Sequence, residues 1–239
     1  MPMARTFLKV EWRKLLLCNY ALDPAVLQPY LPAHTTIDLW QNTCYVSLVG
    51  FMFCNTRVLG LLIPFHVHFE EVNLGFYVQH EKLGEIRRGV VFIREIVPRP
   101  ALSWVANTLY GEHYLTRPMR HQWKQEKEAL WVQYQWKMQH WHTLQAKSHP
   151  VAVPIAPGSE AEFITEHYWG YTRLGTHQTA EYEVVHPRWQ CYPVLYHHIE
   201  VDFAEVYGPD FAFLNRQAPQ SVFLAEGSDI AVRMGRRLK

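Results

Sequence analysis

Several common chemistries find no support in this chain. Its 239 residues include only four cysteines, Cys18, Cys44, Cys54 and Cys191. No two of them have the C-x-x-C spacing of a zinc knuckle or a thiol–disulfide site. There is no G-x-S-x-G, no G-x-x-x-x-G-K and no G-x-G-x-x-G. That excludes a nucleophile elbow, a P-loop and a dinucleotide fingerprint. Charge of one sign is also missing. Against 23 basic residues stand 22 acidic ones, a formal +1, so no broad field draws nucleic acid or an anionic membrane. No window approaches the roughly 20 apolar residues of a membrane span. The opening segment, Met1 to Val10, lacks the apolar core of a signal peptide. Together these absences predict a cytoplasmic chain with free thiols.

What is present is apolar and aromatic mass, at 49% and 14% of residues, enough for a sizeable core. There is no repeat or low-complexity segment, and the prolines at 150, 154 and 157 read as a long loop within one domain, residues 1–239. Asp23-Pro24 predicts a short capped helix. Thr36 to Phe53 reads as two strands around Gln41-Asn42-Thr43. Phe65 to Val78 and Arg87 to Val97 read as further strands, separated by a turn at Gly84. Pro98 and Pro100 open a helix whose buried face is Leu102, Val105, Ala106 and Leu109, with Gly111 as its stop. Trp131 to His142 alternates as a half-buried strand. Ser159 and Glu162 form a capping box for a helix over 160–168. Strand patterns return from Gln178 to Val206 and from Ser221 to Arg233. The cluster Arg233, Arg236, Arg237 and Lys239 reads as a solvated tail. Long strands with a few short helices predict a mainly β (α+β) antiparallel barrel or sandwich.

The densest polar cluster is His66, His68, Glu70, Glu71 and Asn73. On a strand, His66, His68 and Glu70 share one face and Glu71 and Asn73 the other. The first three are candidate ligands for a divalent metal. Arg87 and Arg88 are candidates to pair with a cavity glutamate or to clamp an anionic ligand. The segment Tyr110-Gly111-Glu112-His113-Tyr114 places a Glu–His pair after a helix end, suited to acid–base work. Glu166-His167-Tyr168 and His186-Pro187-Arg188-Trp189 are similar groupings, their aromatic rings reading as core. Lys82, Lys124, Lys127 and Lys137 all read as exposed, so none is expected to act as an amine nucleophile.

These motifs resemble a known family. Asp23-Pro24 with Leu31-Pro32, Tyr45 to Phe51, Pro64-Phe65-His66 and Phe69 to Leu74 are similar, in order and spacing, to the YqjF-like family of uncharacterised proteins. Arg87 to Phe92, Glu95 to Pro98, Glu166-His167-Tyr168 and His186-Pro187 with Trp189 continue the likeness over nearly the whole chain. The family is grouped distantly with acetoacetate decarboxylase. The resemblance implies a double-barrel-like β fold around a central apolar cavity. In the decarboxylase a lysine soon after a helix forms a Schiff base, and glutamates and an arginine line the pocket. This chain has Gly111-Glu112-His113-Tyr114 where that lysine motif falls, and Gly75 where the pattern carries an arginine. The expected partner is a small-molecule ligand, not nucleic acid or a membrane, with homo-oligomer formation left open and no cofactor. Three readings follow. One is an acid–base enzyme on a small carbonyl or carboxylate compound, with Glu70, Glu71, Glu112 and His113 as catalytic candidates. Its ligand-binding candidates are Arg87, Arg88, Asn73, His66, Tyr110 and Tyr114. The second is a non-catalytic binding or sensing domain; the third is a metal enzyme using His66, His68 and Glu70.

Overall fold

The computed structural model describes residues 6–238. Its main strands in chain order are β1 (Thr6–Leu22), β2 (Cys44–Val58), β3 (Phe69–Lys82), β4 (Glu85–Val97), β5 (Tyr114–Thr116) and β6 (Met119–Gln125). They continue as β7 (Leu130–Lys137), β8 (Trp141–Ser148), β9 (Trp169–Arg173), β10 (Thr179–Val185), β11 (Val194–Glu200) and β12 (Ser221–Arg233). The helices are α1 (Pro100–Tyr110), α2 (Glu160–Thr165) and α3 (Phe203–Tyr207).

Seven strands close into a ring in the order β12-β1-β2-β3-β4-β9-β10, and β10 returns to β12 through Val184↔Val232 and Val185↔Ala231. Closure leaves no free edge and forces alternate side chains inward. A second sheet, β11-β8-β7-β6, packs against the outside of the ring. Leu16, Leu48, Leu74 and Phe76 of the ring meet Val132, Tyr134, Trp136 and Leu144 of that sheet in one buried cluster. Val10, Leu15, Phe51, Phe53 and Trp189 form a second cluster inside the ring.

Two bulges decide which residues face inward. In β1, Lys14 takes a left-handed φ of 55° where the register slips between Arg13 and Leu16. Val10 and Trp12 belong to the inner cluster before the slip, and Leu15 and Leu17 after it. Gly227 accommodates the kink, since a Cβ there would stand 2.0 Å from Trp12 O. In β4 the register slips opposite Leu74 and Gly75, so Arg94 pairs with Leu74 and Phe92 with Gly75. An extra residue reverses the face pattern beyond it.

Several expectations are corrected. The strand expected from Phe65 begins at Phe69 and runs to Lys82. Phe65 is exposed with φ 64°, so His66 and His68 lie in a turn before the strand and share no face with Glu70. The strand expected from Trp131 to His142 is two strands, because the chain turns between Lys137 and Trp141. The helix from Glu160 ends at Thr165, not 168. The pairings β4–β9 and β4–β5 are parallel, so the sheet is not purely antiparallel. Within the proline loop, Val153–Pro154 pairs with Gln190–Cys191. Arg233 and Arg236 are no free tail: they pair with Glu183 and Glu181 at 2.7 and 2.6 Å. Lys239 and the side chains of Val105, Ala106, Leu109 and Tyr110 lie outside the described residues.

The short helix after Asp23, the Gly111 stop (φ 68°) and the Ser159 cap follow the sequence reading. The same holds for the inward alternation of Val132, Tyr134 and Trp136.

Candidate functional site

The ring encloses a cavity of about 460 Å³, within the usual size range of small-molecule sites. Its wall is apolar over most of its area, with Leu15, Leu17, Val49, Phe51, Phe69 and Trp189 among the contributors. The lining reaches the surface at Ile63 and Ala101, both exposed, and ends among buried Ser47, Tyr77, Ile164 and His167.

Acid side chains interrupt this wall at mid-depth. Glu71 and Asn73 are successive inward positions of β3, and Asn73 pairs across to Glu95 of β4. Glu95 in turn pairs with Tyr114 of β5. The ladder thus sets Glu71, Asn73, Glu95 and Tyr114 side by side. Asn73 Nδ2 donates to Glu71 Oε1 at 2.9 Å, and Tyr114 OH donates to Glu71 Oε2 at 3.2 Å. Glu112, two residues before Tyr114, joins them in the lining. Thr172 Oγ1 donates to its Oε1 at 2.6 Å, and Tyr182 hydrogen-bonds it from β10. Glu95 Oε2 is buried with no hydrogen-bond partner.

Among the described residues no lysine lines this cavity and no ion pair reaches Glu71, Glu95 or Glu112. Burial therefore dominates their acidity. It pushes Glu71 up to about 7 against the hydrogen bonds from Asn73 and Tyr114, with the charge of Glu112 adding to the rise. Burial likewise pushes Glu112 up to about 7 against Thr172 and Tyr182. Glu95 rises well above the usual carboxylate range through burial first, then the charges of Glu112 and Glu71. Tyr114 and Tyr182 are held protonated far above neutrality by the same burial and the same acids. The cluster thus holds carboxylic acid beside carboxylate near pH 7, sharing protons as one unit.

The sequence candidates divide. Glu71, Asn73, Glu112, Tyr114 and His66 all line the cavity. Glu70 points the other way and receives His121 Nδ1 at 2.6 Å. His113 is exposed, and its carbonyl accepts from the Glu95 amide at 3.3 Å. Arg88 is outside the lining, donating to Asp38 at 2.6 Å and lying over the Phe163 ring. Arg87 is likewise outside, held by Glu85 and Glu181 and stacked on Trp169. No group of three or more His, Cys, Asp or Glu among the described residues is placed to hold a metal ion. The lysines are not all exposed either. Lys14, its side chain 16% exposed, pairs with Glu226 and lies over Tyr192, outside the cavity lining.

Sequence reasoning gave no site role to Glu95, Tyr182, Thr172 or Asp38, and it grouped His167 with Glu166 where the structure sets it against Asp38. Glu95 was visible as a lone acid among the apolar residues of its strand, but simple alternation from Val90 and Phe92 turns Arg94 inward instead. Only the β4 bulge brings Glu95 round. His167 presents Nε2 to Asp38 Oδ2 at 3.2 Å, and its ring lies 4.6 Å from that of Tyr77. Burial lowers its basicity, opposed by Asp38. Tyr77 hydrogen-bonds Ser47 at 2.7 Å, so the inner end of the cavity carries its own polar network.

A closed β ring with a flanking sheet is the acetoacetate-decarboxylase-like class of fold. Acetoacetate decarboxylase from Legionella pneumophila superposes with a TM-score of 0.67 at 12% identity, over 100% of this chain and 92% of that one. The enduracididine biosynthesis enzyme MppR complexed with pyruvate gives a TM-score of 0.66 at 11% identity, over 100% and 92% of the two chains. The chain itself belongs to the DUF2071 family of uncharacterized conserved proteins, which matches residues 9–229. It is 22% identical to uncharacterized protein YqjF of Bacillus subtilis (strain 168) over 198 residues, 82% of this chain and 78% of that protein.

Proposed function

We infer that this protein is an acid–base enzyme that moves a proton on a small neutral carbonyl compound, using the Glu71–Glu95–Glu112 cluster in place of an amine nucleophile. One observation carries the reading: three carboxyl groups share an enclosed apolar cavity, and no lysine or arginine pairs with them among the described residues. Such a cluster is costly to bury and provides what enolisation needs, an acid beside a base titrating near neutrality.

The neutral carboxyl of Glu95 donates to the substrate carbonyl oxygen. The carboxylate of Glu71, oriented by Asn73 and Tyr114, takes the proton from the adjacent carbon. The C–H electron pair becomes the C=C bond, and the carbonyl π pair takes the Glu95 proton, giving the enol. Glu71 now carries a proton, Glu95 is ionised, and return of protons within the cluster resets the site. A neutral substrate fits better than a carboxylate, because the acids repel an anion and Arg233, the arginine of the lining, is held by Glu183. The pyruvate bound to MppR gives support of fold only, since the two chains are 11% identical.

The test is deuterium exchange of α-protons in 1,3-dicarbonyl and simple ketone substrates, followed by NMR in D2O. Exchange above background, reduced at least 100-fold in Glu71→Gln and Glu95→Gln, is the expected result. Borohydride should trap no adduct. Saturable binding without exchange across the panel would leave a binding or sensing domain, and a trapped lysine would replace the acid–base mechanism.

A further inference from the structure

We propose that the substrate of this site carries an apolar chain or ring system of about ten or more non-hydrogen atoms, lying along the cavity from the acid cluster to the mouth. This rests on the acid–base reading only in placing the carbonyl at the cluster.

The size of the cavity is the first observation. At about 30 Å³ for each water-sized unit, 460 Å³ gives room for roughly 15 non-hydrogen atoms, far more than a two- to four-carbon acid fills. Depth is the second. Glu71 lies opposite Phe51 on β2, and Thr56, which lines the outer part of the cavity, is five residues further along that strand. At about 3.3 Å per residue the path from cluster to mouth is roughly 15 Å. An extended chain advancing about 1.2 Å per bond covers it in about a dozen bonds.

Chemistry along the path is the third. Between the acids and the mouth the wall is Trp12, Phe53, Phe69, Val58 and Leu102, with Thr56 and His66 near the outer end. Small polar substrates gain nothing from such a wall, whereas each buried methylene gains from it. The rim is the fourth. The hairpin after β2 exposes Leu61 at 68% and Phe65 at 84%, and Trp104 on α1 is 70% exposed. Ile63 of the same hairpin and Ala101 and Leu102 of the same helix line the cavity. The apolar surface is therefore continuous from the inner wall to two elements flanking the opening, as suits an apolar compound that partitions onto the rim before it enters.

The experiment is calorimetric titration of the full chain at pH 6 with pentane-2,4-dione, heptane-2,4-dione, nonane-2,4-dione and tridecane-2,4-dione, with pyruvate as the small-acid comparison. The expected Kd falls roughly threefold to fourfold per added methylene and levels off once the chain reaches the rim. Ile63→Glu, an exposed position away from the acid cluster, is expected to weaken the longest dione about tenfold and leave pentane-2,4-dione unchanged. Equal affinity across the series, tightest binding by pentane-2,4-dione or pyruvate, or no binding by any dione at 1 mM would each overturn the proposal. Exchange measured on the same ligands separates the two readings. Affinity that climbs with chain length without exchange sinks the acid–base reading and keeps this one. Exchange confined to the shortest dione does the reverse.

Discussion

Glu70 and Glu71 are neighbours in sequence and opposites in surroundings. Glu70 leaves the outer face of β3, where burial would raise its pKa but the hydrogen bonds from His121 and from its own backbone hold it below the usual carboxylate range. Glu71 enters the cavity, where burial outweighs its two hydrogen bonds and lifts it to about 7. The division continues along the strand. Val72, Leu74, Phe76 and Val78 are fully buried in the core between ring and outer sheet, whereas Asn73, Gly75 and Tyr77 line the cavity. One face of a single strand therefore holds the fold together, and the other keeps a buried acid with no ion pair at the expense of stability.

That contrast is sharpest in substitutions on β3. Phe76→Ala, which empties a closed packing site beside the outer sheet, is expected to cost about 3–5 kcal/mol, measured by urea denaturation. Glu71→Gln should do the opposite, and only above acid pH. The folded state holds the Glu71 proton more tightly than the unfolded chain, so wild-type stability from this group is full below about 4.5 and falls as pH rises through about 7. The glutamine variant removes that loss and should be about 1–2 kcal/mol more stable than wild type at pH 8, with no gain at pH 4. A gain that persists at pH 4 would mean that the inner face is not titrating. Glu70→Gln should show the smallest effect and the reverse sign. Its lowered pKa contributes stability above about 4.5 that is lost as pH falls further. The variant should therefore lose less than about 1 kcal/mol at pH 7, and the difference from wild type should close in acid.

Local patterns carried much of the architecture. The Asp23 and Ser159 caps, the left-handed stop at Gly111 and the alternation of Val132, Tyr134 and Trp136 are short-range signals, and each appears in the fold. Simple parity put Glu71 and Asn73 on one face and Glu70 on the other, but which face turns inward is set by how the ring closes. What alternation missed depended on interruptions that carry no composition signal. Phe65 adopts a positive φ, which detached His66 and His68 from the strand and dissolved the apparent His-x-His-x-Glu face. The slip in β4 exchanged Arg94 for Glu95 at the cavity wall. Tyr182 and Thr172 reach the cluster only because β9 and β10 complete the ring, a contact between segments distant in sequence. Arg87 and Arg88 pair with Glu181 and Asp38, partners 94 and 50 residues away.

The bulge in β4 makes the electrostatic character of the interior a question of phase. Arg94 stands beside Glu95 and donates to the Val206 carbonyl on the outer side of the sheet. Removing Ile93, the residue the ladder leaves unpaired, would keep Phe92 opposite Gly75, Arg94 opposite Leu74 and Glu95 opposite Asn73, so the acid would still face the chamber. Losing the slip while keeping Ile93 would do the opposite, continuing the alternation of Val90 and Phe92 onto Arg94, so the sign of charge in the interior depends on the bulge and not on the composition of the strand.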